Sequence, residues 1–248
     1  MSIDNEKDLA ALRRVGRLVA LTLQHMGKVM RPGMTTFELD AIGRAMLVRA
    51  GARPAPELVY GFPGATCISV DDEAAHGIPG PRVLREGELV NIDVSAELDG
   101  YYGDTGASFP VGAVSEQKAR LCAATRNALA RGLAVARAGA PINGYGRVVE
   151  NEARRHGFEV IHNLAGHGVG RALHEEPHDV ASHFERRNKS RFAEGTVLTL
   201  EPFLSTGARR VTTAADGWTQ KTPDRSVTAQ YEHTIVITRS RPIVLTAC

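Results

Sequence analysis

Residues 89–98 alternate between apolar and polar side chains with a period of two, which is typical of a β-strand. Asp99 and Gly100 follow as a two-residue turn, and residues 101–109 read as an extended returning segment. The pattern therefore predicts a β-hairpin.

This hairpin sets the register of two acidic residues. If Leu98 faces Tyr101 across the turn, Asp93 faces Gly106, and Asp104 lies on the same sheet face as Asp93. Diagonal neighbours of this kind lie about 7–8 Å apart at the backbone, so the two carboxylates can converge on ions between them. The alternative is that both acids lie on strands and face solvent. Asp104, however, lies in a strand rich in aromatic residues and glycine, where a buried acid needs a partner.

The chain also predicts four helices in two similar pairs. Long amphipathic patterns cover residues 4–30 and 115–137, and a shorter helical span bounded by glycines follows each, at 33–51 and 139–157. The second short span begins 106 residues after the first and has the same length. Internal duplication is the economical interpretation, with chance similarity of two helices as the alternative.

The first short helix carries its own start and stop signals. Thr35 and Glu38 form a capping box, and Gly51 ends the helix. Its apolar positions are Phe37, Leu39, Ile42 and Leu47. A shift of 106 residues from the last three gives the apolar residues Tyr145, Val148 and Ala153.

These elements predict an α+β fold. We expect a single domain over residues 1–248, built from two halves at about 1–112 and 113–248 that meet at a curved antiparallel sheet. A chain of 248 residues with 43% hydrophobic content can bury the core that such a domain requires. Sites are common where two such halves meet.

Charge and cysteine content narrow the class of protein. The net charge of +2 gives no electrostatic case for nucleic-acid or membrane binding. The three cysteines, Cys67, Cys122 and Cys248, form no CxxC pair, and no signal peptide or long apolar run is present. We therefore expect a reduced cytoplasmic protein without a membrane segment.

Four carboxylates and one imidazole form an oxygen-rich set of candidate metal ligands: Asp93, Asp104, His167, Glu201 and Glu232. Four negative charges would balance two divalent ions, whereas without metal they would repel one another. This donor set suits Mn, Fe(II) or Co ions, whereas a structural zinc site is usually lined by thiolates. This pattern predicts a two-metal hydrolase, with structural salt bridges as the alternative for the two glutamates.

Seven short motifs occur in order along the chain, at residues 76–79, 91–94, 103–105, 166–170, 174–177, 201–202 and 230–234. Together they resemble the type I methionine aminopeptidases, over residues from about 5 to 245. The resemblance implies the pita-bread fold, which is a pseudo-twofold arrangement of helices around a curved sheet. It also implies a catalytic domain that removes N-terminal methionine from nascent proteins when the second residue is small.

The resemblance assigns roles to the candidate ligands. Asp104 and Glu232 would bridge the two metals, Asp93 would complete one site, and His167 and Glu201 the other. A hydroxide between the ions would attack the first peptide carbonyl.

The resemblance also implies roles around the substrate. Glu201 would relay the proton, His174 would stabilise the oxyanion, and His76 would lie by the leaving nitrogen. The methionine side chain would bind against Phe62, Cys67 and Trp218, for which plain core packing is the alternative. The chain departs from the family pattern at Val59, Asp71, Leu173 and Phe203, which could change the selectivity of this pocket.

Two motifs suggest other chemistry and are set aside. Residues 174–178 satisfy HExxH, but Pro177 disfavours the regular helix that a zinc protease requires. The glycine-rich loop 166–170 lacks phosphate-loop spacing, and we expect its glycines to let the backbone pass close to a metal-bound His167. The histidines that match no ligand position are expected to be surface or supporting groups: His25, His156, His162, His178, His183 and His233.

Three other classes of protein with this fold differ from the features of this chain. Proline-specific peptidases of this fold carry an additional N-terminal domain, for which we expect no room here. Type II methionine aminopeptidases carry a helical insertion, whereas only 26 residues separate His174 from Glu201. Non-catalytic binding proteins of this fold have lost ligands, and none is lost here. The basic run 186–191 could contact ribosomal RNA transiently, and we expect a monomer.

Overall fold

A computed structural model describes residues 1–3 and 5–247 of the chain. The helices are α1 (Glu6–Val29), α2 (Thr36–Arg49), α3 (Ala55–Tyr60), α4 (Glu116–Val135) and α5 (Ile142–Arg155). The strands are β1 (Arg53–Pro54), β2 (Cys67–Val70), β3 (Glu73–Ala75), β4 (Leu89–Leu98), β5 (Tyr101–Pro110), β6 (Glu159–Val160), β7 (Ala165–Gly168), β8 (Glu175–Ala181), β9 (Val197–Leu200), β10 (Phe203–Ser205), β11 (Thr212–Thr213), β12 (Gln220–Lys221), β13 (Thr228–Gln230), β14 (His233–Val236) and β15 (Ile243–Val244).

The predicted helices are present with slightly shorter ends. The capping box of Thr35 and Glu38 forms at the start of α2, where the Thr35 hydroxyl accepts from the backbone of Glu38. Asp4, the predicted first residue of α1, lies outside the described residues. Of the apolar residues of this helix, Leu39 is fully buried, whereas the side chain of Phe37 is 64% exposed.

The hairpin of β4 and β5 has the predicted register. Asp93 pairs with Gly106 and Ser95 pairs with Asp104. Unlike a half-buried surface strand, β4 is covered on both faces, and even its polar residues Asn91 and Ser95 are buried. Its polar face points into the protein interior rather than to solvent.

The two ends of the chain build separate helix-covered layers. Helix α1 packs on β4 and β5, and α4 packs on α5 and β13. Two of the main apolar cores reflect this division, one around Met26, Leu39 and Ile92 and another around Leu121, Tyr145 and Leu198. Each layer begins with a pair of helices and continues into strands, and the duplication of the two halves stays a prediction.

The sheets are antiparallel, which confirms the α+β class. A four-stranded sheet holds β1, β2, β4 and β5, and a five-stranded sheet holds β7, β8, β9, β14 and β15. The two meet where Glu232 donates its backbone N–H to the carbonyl of Gly106, and Thr234 donates its hydroxyl to the carbonyl of Asp104. Across the described part of the chain, every helix is too short or too polar to cross a bilayer.

Candidate metal centre and substrate cavity

Five different strands, or the residues next to them, direct the five candidate ligands into one cavity of about 350 Å³. Asp93 lies on β4, Asp104 on β5 and His167 on β7. Glu201 directly follows β9, and Glu232 directly precedes β14. Ligand atoms of Asp104, His167 and Glu232 all lie within 4.8 Å of one another, a spacing that could hold a metal ion.

His167 stands among the carboxylates. Its Nε2 lies 3.7 Å from Asp104 Oδ2 and 3.6 Å from Glu201 Oε1. Its Nδ1 lies 3.0 Å from the carbonyl oxygen of Gly168, which can only accept a hydrogen bond. Nδ1 therefore carries the hydrogen, and the lone pair of Nε2 faces the acids, as a metal ligand requires.

Burial makes this cluster electrostatically costly without a cation. It raises the pKa of Asp93 to about 6 and raises the pKa of Glu201 well above the ordinary range. Burial also raises the pKa of Asp104 and Glu232 strongly, and the neighbouring carboxylates add to this effect. For His167, burial and then the nearby His174 lower the pKa to about 3, so the imidazole is neutral and able to ligate.

Two oxygen atoms of the cluster lack any hydrogen-bond partner. They are Oδ1 of Asp104 and Oε1 of Glu232, and both are buried. Leaving a buried carboxylate oxygen unsatisfied costs free energy, so such atoms are expected where a cation completes the site. The donor set and these two atoms fit divalent metal ions.

Neighbouring polar side chains hold several ligands in place. Gln230 donates its amide to Oε2 of Glu232 at 3.0 Å, and the Thr199 hydroxyl donates to Oε1 of Glu201 at 2.7 Å. The same hydroxyl oxygen accepts the backbone N–H of His167 at 3.0 Å. Outer contacts of this kind orient metal ligands.

The glycines around His167 serve strand packing. A Cβ atom at Gly166 would collide with the carbonyl of Thr199 on β9, and one at Gly168 would collide with the carbonyl of Glu176 on β8. The close neighbours of these two glycines are therefore strand backbones, and the expectation that they let the backbone pass close to a metal-bound His167 stays a prediction. In the HExxH match, residues 175–178 lie in the strand β8 and His174 directly precedes it, so the match is not on a helix, as expected from Pro177.

The predicted substrate residues line the same cavity. His76 follows β3 in a loop and is exposed, as expected, and His174 lies just before β8. Phe62 and Trp218 meet edge to face with ring centroids 5.3 Å apart. Cys67 is buried on β2, directly opposite Asp93.

The positions that depart from the family pattern divide into two groups. Leu173 and Phe203 are buried and line the cavity. Val59 does not line it and is 40% exposed. Asp71 lies away from the cavity in an ion pair of 2.6 Å with Lys118, and it accepts the backbone N–H of Leu89.

Sequence reasoning did not place Tyr60 and His178 in the cavity. Tyr60, on the short helix α3, places its hydroxyl 2.7 Å from Nδ1 of His174. His178, expected to be a surface or supporting group, is exposed and also lines the cavity. The segment Glu175–Ala181 has no apolar and polar alternation that could have indicated His178, and only its short distance from His174 along the chain pointed to this cavity.

The model of metallopeptidase family M24 matches residues 10–239 of the sequence. The chain belongs to this family. One M24 relative, methionine aminopeptidase 2 of Bacillus subtilis, is 50% identical over 99% of both chains. The crystal structure of the methionine aminopeptidase from Rickettsia prowazekii is 35% identical, covers 100% of both chains and has a TM-score of 0.94. The prolidase from Pyrococcus furiosus, at 20% identity and a TM-score of 0.79, shares the fold over 99% of this chain and 65% of its own.

Proposed function

We propose that this protein is a type I methionine aminopeptidase, which hydrolyses the first peptide bond after an N-terminal methionine. The observation that carries the proposal is a buried centre of acids and one neutral imidazole beside an aromatic, sulfur-lined pocket. The high identity to methionine aminopeptidase 2 of Bacillus subtilis supports it. The short connection of 26 residues between His174 and Glu201 favours type I over type II.

We propose that the centre holds two divalent ions. Asp104 and Glu232 would be shared between them because each has an unpartnered buried oxygen. Asp93 would complete one site, and His167 with Glu201 the other, since His167 Nε2 faces Glu201. When bound, such ions lower the pKa of water and polarise a carbonyl group. Mn, Fe(II) and Co all suit this donor set.

The other cavity residues would handle protons and charge. Glu201, whose Oε1 lies 3.6 Å from Nε2 of His167, would accept a proton from the nucleophile and pass it on. Burial lowers the pKa of His174 to about 4, so a neutral imidazole would donate one hydrogen bond to the developing oxyanion. His76 would contact the nitrogen of the leaving peptide.

The proposed methionine pocket is formed by Phe62, Cys67 and Trp218. A thioether packs favourably against aromatic edges, which makes this lining suitable for methionine. Leu173 and Phe203 close the same cavity with apolar surface. Substrates would be nascent polypeptides and peptides whose second residue is small enough to lie beside the centre.

We also propose that the protein acts in the cytoplasm as a monomer. Transient contact with ribosomal RNA through residues 186–191 is part of this proposal. The support for contact is that Arg186, Arg187, Lys189 and Arg191 are all exposed.

The deciding experiment is hydrolysis of a Met-Xaa-Yaa peptide series by protein first treated with chelator. Activity should be absent after chelation and return when Mn, Fe(II) or Co is added. A properly folded, metal-loaded protein that hydrolyses none of these peptides would favour the non-catalytic binding protein instead.

A further inference from the structure

Tyr60 contacts His174 within the cavity through a side-chain hydrogen bond. Its hydroxyl oxygen lies 2.7 Å from Nδ1, and the two ring centroids lie 5.6 Å apart. The His174 ring also packs on His167, with centroids 3.9 Å apart. A tyrosine hydroxyl and a ligand histidine thus flank His174.

We propose that Tyr60 is a positioning residue, which holds His174 in the tautomer that carries its hydrogen on Nε2. Nδ1 is occupied by the tyrosine, so Nε2 is the nitrogen that remains for a substrate. The inference rests on the proposed function, in which His174 must donate to the carbonyl oxygen under attack. A neutral imidazole with its hydrogen on Nδ1 would instead present the lone pair of Nε2 to the oxyanion and repel it.

The direction of the hydrogen bond follows from acidity. A phenol has an ordinary pKa of about 10 and donates well, whereas a neutral imidazole nitrogen is the more basic acceptor. Burial, and to a smaller extent the charge of Asp104, raise the pKa of Tyr60 further, so its hydroxyl keeps its hydrogen. Tyr60 therefore donates to Nδ1, and the hydrogen of the imidazole is left on Nε2.

The backbone around Tyr60 supports a fixed position for the hydroxyl. Tyr60 is the last residue of α3, and Gly61 ends that helix in the left-handed conformation with φ of 66°. An ion pair between Glu57 of α3 and Arg44 of α2 ties the short helix to its longer neighbour. Tyr60 is 48% exposed, so a substitution that removes its hydroxyl does not remove a side chain from the core.

The first test reads the tautomer directly. Protein with ¹⁵N-labelled histidine is loaded with diamagnetic Zn²⁺, and the two ring nitrogens of His174 are assigned by comparison with His174→Gln. The wild-type protein should show a protonated Nε2 and an unprotonated Nδ1, because the two kinds of nitrogen resonate far apart. Tyr60→Phe should shift both resonances toward a tautomer mixture, and Tyr102→Phe, a hydroxyl deletion on β5 outside the cavity, should not.

The second test measures hydrolysis of Met-Ala-Ser. Loss of one neutral hydrogen bond should lower kcat of Tyr60→Phe by about 3- to 10-fold, with KM nearly unchanged. In a His174→Gln background, the same change should have little further effect, because Tyr60 acts through His174.

Two results would overturn the inference. One is a His174 spectrum that Tyr60→Phe leaves unchanged. The other is an equal loss of kcat from Tyr60→Phe in the presence and in the absence of His174, which would make Tyr60 a wall of the cavity only. A wild-type protein without peptidase activity would instead overturn the proposed function, and the spectrum would still decide the tautomer.

Discussion

Asn91 donates a hydrogen bond of 2.7 Å from its side-chain amide to Oε1 of Gln230, although 139 residues separate them. The contact joins β4 of the first sheet to β13, which lies in the second half of the chain. Gln230 also donates to the candidate ligand Glu232. The junction of the two halves and the proposed metal centre therefore share one hydrogen-bond network.

This network leads to a prediction for Gln230→Ala. The change leaves the Asn91 amide without its closest acceptor and frees Oε2 of Glu232, so the free energy of unfolding should fall by about 1–3 kcal/mol. Metal affinity should weaken by about 10- to 100-fold, as is usual when an outer contact of a ligand is lost. Thermal unfolding and calorimetric titration with Mn²⁺ measure the two effects, and the exposed Gln117→Ala on α4 is the control. Unchanged metal affinity would show that Glu232 does not depend on Gln230.

Removal of a ligand should abolish turnover. In Asp104→Asn or His167→Ala the centre loses a charge or a nitrogen donor, and peptide hydrolysis should fall by at least about 100-fold. The fold should persist in the presence of metal, as circular dichroism would show. His25→Ala, an exposed histidine of α1, is the matched control and should retain full activity. Substantial hydrolysis by either ligand variant at saturating metal would contradict the two-metal proposal.

Chelation should destabilise the protein more as pH rises. In the metal-free protein burial raises the pKa of Asp93 to about 6 and that of the other three acids strongly. Because the folded state then binds more protons than the unfolded state, stability is lost as pH rises from about 4 through 6 for Asp93, and the loss continues to higher pH for the other three acids.

His167 acts in the opposite direction. Its pKa of about 3 lies below the ordinary value, so its contribution is lost only as pH falls below about 6.5. Bound cations stabilise the ionised form of the four acids. The metal-loaded protein therefore does not lose folding stability as pH rises. The difference in Tm between loaded and chelated protein should therefore widen from pH 5 to pH 8. A difference that is constant over this range would argue against a cluster of buried acids.

The second residue of the substrate should control the rate. Its side chain must lie beside the centre, and a displacement of the carbonyl by about 1 Å can cost on the order of 100-fold. Met-Ala-Ser should therefore be cleaved much faster than Met-Lys-Ser, as liquid chromatography of the products would show. Equal rates for these two peptides would refute the narrow-cleft argument.

Leu-Ala-Ser tests the methionine pocket separately. Phe62, Cys67 and Trp218 should favour the thioether, so this peptide should be a poor substrate. A preference for leucine would show that Leu173 and Phe203 have changed the selectivity. Val59 should matter less, since it does not line the cavity, and Val59→Ala should leave the Met/Leu ratio unchanged.

The sequence by itself determined the local structure of this protein. The register that sets Asp93 opposite Gly106 follows from a two-residue turn and a period of two, both of which depend on residues close in the chain. The capping box of α2 follows from two residues three positions apart. The order of the acidic and histidine motifs along the chain also carries the resemblance to the family.

Only the tertiary structure decided what surrounds these elements. The polar face of β4 is buried because a second sheet covers it, and no periodicity within β4 encodes that cover. Likewise, the hydroxyl of Tyr60 meets His174 across 114 residues, a contact that depends on how α3 is docked. Periodicity and capping signals report neighbours in the chain, whereas docking depends on the packing free energy of the whole core, which no local pattern contains.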